Sequence, residues 1–185
     1  MAKVIWTVVV IIAIVAIVGA FVVFGGAYNV AASQPHSGLT LWLIEHTVDN
    51  SVESHSKDVQ IPDDLTDSTM IAVGFGHYDE MCVDCHGAPG IKPEEFADGL
   101  YPHAPNLAKS TTDMSAQELF WITKNGLKFS GMPAFGSTHT DEQITDIVAF
   151  LKKLPQMSPA DYQAMKGTGA GEEMESEEEG HSDSH

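Results

Sequence analysis

Residues 4–24 read VIWTVVVIIAIVAIVGAFVVF, twenty-one positions without a charged side chain. At about 1.5 Å per residue, such a helix matches the hydrocarbon core of a bilayer, which needs roughly 20 apolar residues. A secretory signal has a shorter apolar core of about 7–15 residues, followed by a cleavage site of small residues. The run exceeds that length, so it is read as a retained membrane anchor over residues 4–24. Ala31-Ala32-Ser33 keeps a cleaved signal open as the alternative. Only Lys3 and the amino terminus flank the short side. The positive-inside rule makes that side cytoplasmic and sends the rest of the chain outside.

Charge divides the 185 residues into four stretches. Residues 1–27 carry one Lys and no acid; residues 28–65 carry six acids and one Lys. Residues 66–157 carry twelve acids and six Lys, and residues 158–185 eight acids and one Lys. The expected domains follow these limits: an anchor (1–27), a linker with one amphipathic helix (28–65), a folded domain (66–157) and an acidic disordered tail (158–185). The net charge of −17, with no Arg, excludes nucleic acid as a partner, because a polyphosphate needs a basic face. It also argues against docking on an anionic membrane surface.

In the second stretch a helix is expected over about residues 38–58. Leu41, Ile44, Val48, Val52 and His55 share one face, beside an acidic row of Glu45, Asp49 and Glu53. That face packs either on its own domain or on a partner subunit. An interfacial lipid helix is disfavoured, since those carry Lys and Arg on the polar side. In the third stretch, three helices are expected. One runs from about Asp67 with Gly74, Tyr78 and Cys82 on one face. A second runs from a Ser115-x-x-Glu118 capping box to a stop at Gly126, and a third from a Thr140-x-x-Gln143 box to Leu154. Ile144, Ile147, Val148 and Leu151 face inward on the last.

Cys82-Val83-Asp84-Cys85-His86 carries the chemistry. Two thiols three positions apart can add to the two vinyl groups on one edge of a porphyrin, and the next residue places an imidazole under the iron. This is the spacing of c-type haem attachment. A thioredoxin-like pair needs a strand–helix–strand setting that the sequence lacks. A zinc site needs further ligands, and the chain has only two Cys. Downstream, Ser130-Gly131-Met132-Pro133-Ala134-Phe135-Gly136 is a loop by its Gly and Pro content, and it presents Met132 as the distal ligand. His103 and His139 are the rivals, both expected in exposed loops. A His/Met pair saturates iron and raises its potential, which points to outer-sphere electron transfer.

Residues 66–157 resemble a class I c-type cytochrome domain. The resemblance rests on Gly74, Tyr78, Cys82, Cys85, His86 and Gly87, on Tyr101-Pro102 with Pro105-Asn106-Leu107, on the Met132 loop, and on the final helix through Ala149-Phe150-Leu151. It is most similar to the small cytochrome subunits of haem–copper oxidases and to the cytochrome domains of quinohaemoprotein dehydrogenases. The resemblance implies an all-α fold of three main helices around one covalently attached haem c, preceded by one transmembrane helix. It implies that the first and last helices cross near Gly74 and Phe150, and that the carbonyl of Pro105 accepts the Nδ1 proton of His86. Leu107, Ile122 and Phe135 are expected to line the haem crevice, with His86 and Met132 as the iron ligands. The implied function is single-electron transfer in a respiratory or dehydrogenase chain, as a carrier for a membrane complex or a non-catalytic subunit of one. Redox proteins in or at the membrane are then the partners, on the periplasmic side of a bacterial cytoplasmic membrane. A haem-based sensor or enzyme with a displaceable methionine is the alternative. The domain's own charge of −6 suggests a basic docking face on the partner. Lys124 and Lys128, a turn apart, are read either as a small local basic patch or as a solvated helix face.

Overall fold

The structure, a computed structural model, describes residues 1–168. It divides into two compact units, Met1–Pro35 and a second that begins at His36. The first holds α1 (Ala2–Phe24), 23 residues long, which ends where Gly25 donates its N–H to the Phe21 carbonyl. At about 1.5 Å per residue it is about 35 Å long, enough to cross a membrane, and every side chain on it is exposed.

The second unit is helical, with no strand among the described residues. It contains α2 (Gly38–Ser56), α3 (Ser68–Met81), α4 (Val83–His86), α5 (Leu107–Ser110), α6 (Ala116–Asn125), α7 (Asp141–Lys153) and α8 (Pro159–Gly167). Each long helix starts for a visible reason. The Asp67 carboxylate accepts from the N–H groups of Thr69 and Met70 at the head of α3. Full capping boxes open α6 (Ser115 with Glu118) and α7 (Thr140 with Gln143), as the sequence predicts. Lys152 and Lys153 end α7, where its carbonyl end is negative.

The core lies where α3 crosses α7. Phe75 and Tyr78 from α3 meet Ile144, Ile147, Val148, Phe150 and Leu151 from α7, all buried. Gly74 permits the approach, because a methyl group there would overlap the backbone carbonyl of Asp146 and crowd the Ile147 nitrogen. The backbones therefore touch one turn before Phe150, the residue expected at the crossing. Phe150 instead packs its ring against Phe75 and Tyr78, with centroids 5.5 and 5.1 Å apart.

One segment differs from expectation, and another settles an open choice. Residues 159–167, assigned to a disordered tail, form α8, opened by a Ser158–Asp161 capping box with Pro159 in the first turn. Tyr162 is fully buried against Phe75, and its hydroxyl donates to Asp79 at 2.9 Å, where Lys166 also pairs. Tyr162 docks this short helix together with Met165, which packs on the same core, although acids dominate the composition downstream. The remainder of the expected tail, from residue 169, lies outside the described residues. The helix expected over 38–58 is α2, and it packs on α6 within the second unit. Val52 and Ser56 are buried, Leu41, Ile44 and Val48 half-buried, and the His55 ring lies 5.6 Å from that of Trp121. Its predicted face is thus spent on its own domain.

Tyr162→Ala should lower the unfolding free energy of the full chain by about 3 to 5 kcal/mol, the usual cost of removing a buried ring. Denaturant unfolding checks this, and an unchanged midpoint would contradict the docking of α8. Burial, helped by the nearby charges of Glu142 and Asp67, pushes the Asp146 carboxyl up to about 6. A raised carboxyl stabilises the fold while protonated, below about pH 4, and that contribution is lost as pH rises through about 6. Asp146→Asn should therefore be more stable than the parent at pH 7.5 by about 1 kcal/mol, after allowing for solvent screening. The gap should close by about pH 4, and thermal melts across that range give the comparison.

Candidate haem-binding site

The Cys82–His86 segment sits at the joint between α3 and α4. Cys82 caps α3, donating its N–H to the Tyr78 carbonyl, and the His86 N–H returns to the Cys82 carbonyl. Tyr78 fixes the joint from beneath, because its buried hydroxyl donates to the Gly87 carbonyl at 2.6 Å. Neither cysteine is in a disulfide; Cys82 is buried and Cys85 half-buried. Burial pushes the Cys82 thiol up to about 12, with a smaller contribution from Cys85. A redox-active CxxC pair works through a thiol of lowered pKa, so this environment runs against a thioredoxin-like role.

His86 is buried, and its Nδ1 lies 2.8 Å from the Pro105 carbonyl. That contact makes Nδ1 the donor and leaves the Nε2 lone pair for another partner. Burial lowers the His86 pKa despite the opposing Pro105 bond, which keeps the ring neutral, as a metal ligand must be. Pro105 is itself positioned through the short turn that follows it. Thr111, fully buried, donates toward the Leu107 carbonyl at 2.8 Å and the Leu151 carbonyl at 3.3 Å, tying α5 to α7. Leu107 is half-buried against the core.

The Met132 loop is built tightly onto the end of α6. Gly126, at φ +65°, stops that helix, and a side chain there would come within 2.8 Å of the Met132 carbonyl oxygen. Leu127 donates to the Met132 carbonyl, while the Ser130 hydroxyl donates to Leu127 and accepts from the Met132 N–H. A side chain at Gly131 would meet Leu100 at 2.8 Å, so Leu100 buttresses the loop's outer edge. The tight course holds Phe129 at φ +63°, a left-handed conformation that costs a non-glycine residue about 1–2 kcal/mol. Met132, Ile122 and Phe135 are all half-buried.

Of the predicted site residues, His86 and Pro105 are brought into direct contact, with Cys82 and Cys85 on the same turn as His86. His103 is exposed, as expected. His139 is half-buried instead. It stacks edge-on against Phe135 and His77, and its Nδ1 lies 2.9 Å from the Thr138 hydroxyl. Lys124 is not part of an open basic patch, because it pairs with Asp141 and lies over the Phe120 ring. Sequence reasoning missed the Tyr78–Gly87 bond, the Thr111 tie and Leu100. Only Tyr78 carried a signal, through its place on the Gly74–Cys82 face.

The residues suit a covalently attached haem. Two free thiols lie on the same turn as a neutral, oriented imidazole, and no cluster of three or more His, Cys, Asp or Glu among the described residues offers a competing metal site.

Residues 69–151 match the model of a family described as cytochrome c oxidase, cbb3-type, subunit III. The chain is 36% identical over 81 residues to a 1-butanol dehydrogenase (cytochrome c) of Thauera butanivorans, covering 44% of this chain and 11% of that protein. It is 28% identical over 137 residues to the quinohemoprotein alcohol dehydrogenase ADH-IIG of Pseudomonas putida, covering 73% of this chain and 18% of that protein. The chain thus spans less than a fifth of the length of either relative. No solved structure matches it at comparable significance. Residues 69–151 are therefore similar to the cytochrome c-type domains of oxidase subunits and quinohaemoprotein dehydrogenases, and the Cys82–His86 turn and the His86–Pro105 contact fit that likeness.

Proposed function

We propose that the protein is a membrane-anchored monohaem cytochrome c that passes single electrons, as a carrier for a membrane oxidoreductase complex or a non-catalytic subunit of one. The observation that carries this reading is the His86–Pro105 hydrogen bond at 2.8 Å, which presents a neutral Nε2 beside two unpaired thiols. Haem c, when bound, supplies an iron that cycles between the ferrous and ferric states. Cys82 and Cys85 hold the porphyrin through thioether bonds. His86 Nε2 and the Met132 thioether are the iron ligands in this reading. Two protein ligands leave no position for a substrate, so the chemistry is outer-sphere.

Leu107, Ile122 and Phe135 exclude water from the crevice, and a dry site disfavours the extra charge of ferric iron. The rigid Leu127–Met132 turn supports methionine ligation, because a ligand on a braced loop is not readily displaced. In this account α1 is the anchor and the cytochrome domain lies on the periplasmic side. Confinement to the membrane plane raises the effective concentration of any membrane partner. The acidic domain favours a partner with a basic docking face.

The oxidised full chain, produced with a haem-attachment system, should show the weak far-red sulfur-to-iron band. Met132→Ala should abolish that band and lower the reduction potential while the haem stays attached. Retention of the band in that variant would refute methionine ligation at this position. The reduced parent should not react with carbon monoxide; rapid binding would favour a sensor with an open site.

A further inference from the structure

Helix α2 is apolar on two sides, and only one is used. Leu41, Val48 and Val52 turn inward on α6. On the opposite side Leu39, Trp42 and Leu43 are 68%, 51% and 50% exposed. At 100° per residue, Leu39, Trp42, Leu43, His46 and Asn50 form one continuous strip. The His46 ring lies 4.5 Å from the Trp42 ring, and His46 Nδ1 sits 2.9 Å from the Trp42 carbonyl. A shallow, open depression beside this strip is lined by Trp42, Leu43 and His46, continues over the uncharged polar side chains of Thr47, Asn50 and Ser54, and has no Asp, Glu or Lys in its lining. Glu45 and Asp49 border it on one margin, both exposed. Glu53 continues that margin but pairs with Lys57.

We infer that this outer strip of α2 is a docking surface for a partner protein that presents an apolar ridge bordered by Lys or Arg. Charge complementarity selects that occupant. A second copy would bring Glu45 and Asp49 against their equivalents, in chains that each carry −17. An anionic bilayer would meet the same carboxylates, and α2 has no Lys or Arg to hold a lipid headgroup. An apolar centre with a basic border satisfies both halves of the surface at once. Trp is the residue type that most often dominates binding at such contacts, because one large rigid ring covers much area. The surface lies outside the haem crevice, so this inference does not rest on the reading of Met132.

The test uses the full chain in nanodiscs of zwitterionic lipid. The probe is a fluorescent helical peptide of about 18 residues with a Leu/Ala strip bordered by Lys, and a second peptide carries Glu in place of Lys. The Lys peptide should bind, and the Glu peptide about tenfold more weakly or not at all. Trp42→Gln with Leu43→Gln should weaken the Lys peptide about tenfold, and Glu45→Gln with Asp49→Asn about threefold. Both pairs point outward and should leave the thermal midpoint unchanged, which separates lost docking from lost folding. Equal binding by the parent and the Trp42/Leu43 variant, or no binding by either, would overturn the proposal. So would quenching of Trp42 by brominated lipid, read as the difference between the parent and Trp42→Phe. A dimer in sedimentation that the Trp42/Leu43 variant dissolves would overturn it equally.

Discussion

The close contact of α3 with α7 at Gly74 is the constraint on which the rest depends. A glycine against the Asp146 carbonyl lets the two backbones touch, so Phe75, Tyr78 and Phe150 interlock directly beyond it. Tyr78 is at once a core ring of that crossing and the donor that fixes Gly87. The orientation of the Cys82–His86 turn is therefore set by the packing of two helices. From α7 the same logic reaches the other side of His86, since Leu151 accepts from Thr111 and Thr111 secures the turn that follows Pro105. Site and core are one construction.

The helices of this domain were legible because their ends are written in local chemistry. Ser115 with Glu118, Thr140 with Gln143, and Asp67 each satisfy helix N–H groups that would otherwise lack partners. The inward face of α7 followed from periodicity alone. What was not legible depended on distant residues. Helix α8 hid within an acidic segment, and only the space beside Phe75 and Asp79 shows why Tyr162 belongs to the core. The crossing near Gly74 and Phe150 came from the resemblance, and the structure adds that Gly74 itself meets Asp146 and Ile147, a detail spacing cannot reveal. His139 looked like a loop residue until Phe135 and His77 were seen around it.

At the site, the thiol spacing and the Met132 loop could be read from the chain directly. The Pro105 contact came from family resemblance, and its 2.8 Å geometry is now visible. The two sides of α2 were half legible. Spacing identified Leu41 to Val52 as a face that must be covered, and the domain covers it. The outer strip escaped notice because Leu39, Trp42 and Leu43 span barely more than one turn, too short a run to register as a second periodicity.

Covalent attachment of haem to Cys82 and Cys85 is the central claim. Its most direct test is the intact mass of the denatured full chain, produced with a haem-attachment system, beside that of Cys82→Ser with Cys85→Ser. The parent should carry the mass of one haem through denaturation and acid extraction, and the double variant should carry none. A parent chain of unmodified mass, or one that loses its haem to extraction, would contradict the central claim.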